Sequence, residues 1–134
     1  MFRSILVAVD DSAVALKALQ IAGELARAGD AKLTLVHAVS GQGDVLFEDP
    51  AIAARGEAEV QEAEAMIARL AGSVADLKPD TRLVEMPAAR NILALAKEMG
   101  ADLIVLGPHR RSFFHGSVGS SILDHATVSV LIAR

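Results

Sequence analysis

The chain alternates short apolar runs with longer stretches in which apolar and polar positions recur every three or four residues. Residues 3–9, RSILVAV, are apolar and β-branched over strand length, and Asp10, Asp11 and Ser12 end the run and offer a helix start. From Ser12 onward Lys17, Gln20, Glu24 and Arg27 recur on one stripe and Leu16, Leu19, Ala22 and Ala26 on the opposite one, which predicts an amphipathic helix closing near Gly29. KLTLVHAV (32–39) reads as a second strand and SGQGD as loop. A long helix follows, with Val60, Ala63, Ile67, Leu70 and Val74 set against Glu57, Gln61, Glu64 and Arg69, and it ends near Pro79. TRLVEM is a third, shorter strand. Pro87 opens a helix carrying Ile92, Leu95, Ala96 and Met99 on one side, with Gly100 placed as its C-terminal cap. DLIVLG is a fourth strand, Ile122, Leu123 and Ala126 suggest a short helix, and VSVLIA is a fifth strand.

This order is a repeated strand–helix unit, and near-continuous apolar strands need cover on both faces. The expectation is one doubly wound α/β domain over residues 1–134: a five-stranded parallel sheet with helices on both faces, Rossmann-like. Ligands of such sheets bind beyond the carboxyl ends of the strands, so the loops opening at Asp10, Ala38 and Gly107 are the ones to watch.

Composition narrows the chemistry. With 134 residues, 52% of them hydrophobic and 22% charged, the chain has the material for one core. No apolar run approaches membrane-spanning length, and ILVAVD is interrupted too early by Asp10 for a signal peptide, so a cytoplasmic protein with no membrane partner is expected. Cysteine is absent, which removes thiolate catalysis and cysteine-ligated metal. A net charge of −4 without tryptophan or tyrosine argues against nucleic-acid binding.

The most chemically loaded stretch is GPHRRSFFHGSVGSS, residues 107–121. Glycines and serines ahead of a helix expose backbone N–H groups to an anion, and His109, Arg110 and Arg111 add charge-assisted donors. Asp10, at a strand end, suits a ribose hydroxyl, a base edge or a metal-bound water; Ser12 suits helix capping and is also a nucleotide-binding candidate. A phospho-receiver reading fails, because EMPAA follows the third strand where an aspartate is required. His109, His115, Asp124 and His125 lack a metal-ligand spacing, His37 reads as a hydrogen-bonded imidazole, and no serine has a recognisable triad, so neither a metal site nor a catalytic residue is assigned. Phe113 and Phe114 read as anchors of the loop on the core, the alternative being an exposed apolar contact for a partner or the second subunit.

ILVAVDDSAVALKALQIAGELA, LTLVHAV, ADLIVLGPHRR and GSVGSSILDHATVSVLIA together resemble the universal stress protein family, from end to end of the chain. The resemblance implies a stress-response regulator, non-enzymatic and dimeric, with an adenine nucleotide (ATP or AMP, with Mg if a triphosphate binds) at a motif written GxxGx9G(S/T). Matched residue by residue, it assigns Asp10 to the nucleotide, Ala38 to adenine through its backbone, Leu106 and Gly107 to the motif's start, and Gly116, Ser117 and Val118 to the phosphates. The middle departs. Arg110 stands at the second glycine, which disfavours positive φ by about 1 to 2 kcal/mol. Only Arg111–His115 separate it from Gly116, and Pro108 lacks an N–H donor. A shorter loop suits a smaller ligand, such as a monophosphate. The homodimer is expected through the C-terminal edge strand. Two alternatives stay open: a nucleotide-free dimeric interaction module, and a slow ATP hydrolase or self-phosphorylating protein using Ser117, Ser120 or Ser121.

Overall fold

A computed structural model describes residues 1–40, 49–108 and 116–134. Among these, five strands, β1 (Ser4–Ala8), β2 (Lys32–Val39), β3 (Asp80–Glu85), β4 (Leu103–Leu106) and β5 (Ser129–Ile132), form one sheet in the order β3-β2-β1-β4-β5 with every neighbouring pair parallel. The helices are α1 (Ala13–Gly29), α2 (Pro50–Gly72), α3 (Ala88–Met99) and α4 (Gly116–His125).

The strand order steps outward from β1 to β2 and β3, then reverses to β4 and β5. Because parallel crossovers keep one hand, the reversal sends α1 and α2 to one face and α3 and α4 to the other. The two cores follow the two-residue period of the strands. Ile5, Val7, Leu33, Leu35, Leu103 and Val105 pack with Ala15, Leu19, Ala22 and Ile67 of α1 and α2. Leu6, Val36, Ala38, Ile104 and Leu106 pack with Ile92, Leu95 and Ile122 of α3 and α4. Central β1 and β4 are covered on both sides and read as unbroken apolar runs, whereas the edge strands β3 and β5 are largely half-buried or exposed. Each fully buried Leu or Ile contributes about 1.5 to 3 kcal/mol of transfer free energy.

Two expectations are corrected. The buried stripe of α1 is Ala15, Ala18, Leu19, Ala22, Gly23 and Ala26, while Leu16 is 39% exposed. The small alanines let α1 lie close to the sheet, and Leu16 falls outside that stripe. The long helix stops at Gly72 rather than near Pro79, and a 3-10 turn (Ala75–Leu77) follows. At the helix end the Leu70 carbonyl accepts both the Ser73 hydroxyl at 2.6 Å and the Ser73 N–H at 3.1 Å. Val74 is buried as expected, but from this turn. Gly100 closes α3 at φ 67°, as its position before β4 predicts.

Candidate functional site

β1 runs directly into α1, and the junction is built from side-chain to backbone hydrogen bonds. Asp10 is 5% exposed, and its Oδ1 accepts the Ser12 N–H at 2.9 Å. Ser12, in extended conformation, caps α1: its Oγ accepts the Ala15 N–H at 3.1 Å. The turn thereby fixes Asp10 with one oxygen committed to the backbone. Asp11 points outward, and its Oδ1 accepts from Arg69 Nη2 of α2 at 3.0 Å.

β2 supplies the second edge. His37 Nδ1 lies 2.8 Å from the Val9 carbonyl, and because a carbonyl only accepts, that nitrogen carries the proton. At the end of β2 the Ser40 N–H donates to Glu59 Oε1 at 2.9 Å. Two contacts therefore tie α2 over the loops after β1 and β2. Between them lies a cleft of about 440 Å³, within the range of small-ligand sites. Asp10, Asp11, Ser12 and His37 form one side, and Glu59, Glu62, Ala63 and Met66 of α2 form the other.

Among the sequence-assigned residues whose side chains are described, Ala38, Leu106, Gly107 and Val118 do not line this cleft. Asp10 and Ser12 line it. Ala38 is fully buried and faces the α3/α4 core, so its side chain is turned from the cleft. Pairing of β1 with β2 ends at Ala8↔Val36, whereas β2 continues with β3 to Val39↔Glu85. The β1-side backbone edge of Ala38 thus lies past the β1–β2 ladder. Leu106 is a core residue whose carbonyl accepts the Ala133 N–H at 2.8 Å. Gly107 passes close to α1, where a Cβ would stand 3.3 Å from the Val14 carbonyl oxygen. Gly116, Ser117 and Val118 form the start of α4, the position required for an anion site.

His109, Arg110 and Arg111 lie outside the described residues, as do His115, Phe113 and Phe114. Among the described residues no group of three or more His, Cys, Asp or Glu side chains is arranged to hold a metal, and no helix is long and apolar enough to cross a membrane. The α2 wall was missed from sequence. Its signal is the spacing of Glu59, Glu62, Ala63 and Met66, one stripe at three- and four-residue intervals.

A parallel sheet of this order, with its cleft at the carboxyl ends of β1 and β2, defines a Rossmann-like α/β class. The sequence model of the universal stress protein family matches residues 1–134, and the chain belongs to that family. It is 30% identical, over 99% of its own length and 85% of the relative's, to a protein of Staphylococcus haemolyticus (strain JCSC1435) that carries the universal stress protein name. It is similar to the crystal structure of a universal stress protein family member from Burkholderia pseudomallei, at 33% identity and TM-score 0.75, covering 96% of this chain and 93% of that one. It also resembles a universal stress protein crystallised in complex with cAMP, at 25% identity and TM-score 0.69, covering 99% and 97%.

Proposed function

We propose that this protein is a non-enzymatic stress-response regulator that binds an adenine nucleotide, AMP or ATP, in the cleft between α2 and the ends of β1 and β2. The observation that carries the reading is the Asp10 carboxylate: nearly buried, held by the Ser12 N–H, and lining the cleft. A carboxylate fixed at a strand end accepts from ribose hydroxyls, the role an acidic residue takes in related α/β sheets. The backbone edge of Ala38 beyond the β1–β2 ladder offers main-chain groups to a base, and Ala63 and Met66 offer it apolar surface. The start of α4 at Gly116 and Ser117 suits the phosphates. The relative solved with cAMP supports an adenine nucleotide of low charge.

The test is calorimetric titration with AMP and ATP, together with analysis of the nucleotide released when the freshly purified protein is denatured. Asp10→Asn keeps the acceptor for the Ser12 N–H but replaces the second oxygen with a donor. We expect it to fold normally and to bind at least tenfold more weakly, since a hydrogen bond to a charged group contributes about 1.5 to 3 kcal/mol. Absence of released nucleotide, with no heat on adding AMP or ATP, would leave the nucleotide-free interaction module as the reading.

A further inference from the structure

We infer that the cleft selects its nucleotide by charge, and that Glu62 sets the selection: nucleosides, nucleoside monophosphates and cyclic nucleotides are held in preference to triphosphates. The inference rests on the adenine-nucleotide reading above and sharpens it to a ligand class. Its basis is the α2 wall. Glu59 and Glu62 share the cleft-lining stripe with Ala63 and Met66, opposite Asp10 and Asp11, so four carboxylates line one small cleft. Arg69, paired with Asp11 at 3.0 Å, is the one cation in an ion pair with any of the four among the described residues.

Neither a macrodipole interaction nor a hydrogen-bonding task accounts for Glu62, a solvated charge whose helix face the fold turns toward the cleft. A favourable interaction with the helix macrodipole places carboxylates in the first turn, and the first turn of α2 contains none. Glu59 has a structural task, accepting the Ser40 N–H, whereas Glu62 is exposed and makes no hydrogen bond or ion pair among the described residues. Its remaining physical effect is its field. That field repels phosphate oxygens from the α2 side and disfavours each added phosphate charge, while leaving an uncharged nucleoside unaffected.

Binding of adenosine, AMP and ATP, measured by calorimetry without magnesium on the wild-type chain, Glu62→Gln and Glu62→Lys, tests this. Reversing one charge about a Debye length from a triphosphate at 0.1 M salt changes its affinity on the order of fivefold. The ATP-to-adenosine affinity ratio is therefore expected to rise about fivefold in Glu62→Lys and about twofold in Glu62→Gln. The gain should be larger at 0.01 M salt, and adenosine affinity should stay within twofold. A ratio that does not move, or adenosine affinity that falls in step with ATP, overturns the charge selection while leaving nucleotide binding intact. A wild-type chain that binds none of the three overturns both readings.

Discussion

Replacing Asp102 with Asn should remove a clamp that joins the two central strands at their amino ends. The Asp102 carboxylate accepts the Arg3 N–H with both oxygens, at 3.1 and 2.9 Å, and the Ser4 N–H at 3.0 Å, while its own N–H donates to the Ser4 carbonyl at 2.9 Å. The backbone bond from Arg3, then that from Ser4, holds the carboxyl below its ordinary pKa of 3.8; slight desolvation opposes them and the nearby N-terminal charge assists. A depressed folded pKa means the stabilisation is complete above the unfolded value near 3.8 and is lost as pH falls through the folded one. Hydrogen bonds to a charged group are worth about 1.5 to 3 kcal/mol when well shielded, but Asp102 is only half-buried, and screening reduces the sum to about 1 kcal/mol. For a chain of this length that is a melting-temperature loss of about 3 to 5 °C. Urea denaturation of both proteins at pH 7, 5 and 3 measures it: the gap should be present at pH 7 and 5 and narrow below about pH 4. No gap at pH 7, or one that persists undiminished into acid, would refute the clamp.

Gly107→Ala should destabilise the fold by about 1 to 3 kcal/mol, because the added Cβ meets backbone atoms of Val14, at 3.3 Å from the oxygen and 3.4 Å from the carbon, and backbone yields poorly. A urea midpoint equal to that of the wild type would show that the approach of β4 to α1 relaxes freely. The edge position of β5, with Val130, Leu131 and Ile132 only half-buried, leads us to expect a dimer paired through that strand. Sedimentation velocity should give about twice 14.0 kDa, with β5 amides exchanging more slowly as concentration rises; a monomer mass at every concentration would remove the expectation.

The inner strands were the most legible part of the fold because burial on both faces makes them mostly apolar runs. KLTLVHAV coincides with β2, residue for residue. Helix phase was less legible. α1 carries alanines at 13, 15, 18, 22, 26 and 28, and a residue that small fits either stripe, so the leucines dominate the apparent phase and place Leu16 on the wrong face. The end of α2 was hidden for a different reason: only Ala63, Met66 and Ile67 of that helix are buried, so its apolar pattern is too weak to mark where the helix stops.

The candidate site divides along the same physical line. Asp10 and Ser12 could be read directly, since a strand followed at once by acidic and hydroxyl residues has to turn and cap there. Glu62 could not, because charges at helical spacing ordinarily mark a solvated face, and only the tertiary position of α2 turns that face toward Asp10. Asp10 also has two uses that the sequence alone does not separate. Its Oδ1 shapes the turn into α1, a task asparagine performs equally well through its carbonyl oxygen. A turn requirement alone therefore does not select the carboxylate. What distinguishes Asp from Asn at this position is the second oxygen, an acceptor instead of a donor on a nearly buried group, and the cleft beside it is where that difference has a chemical consequence.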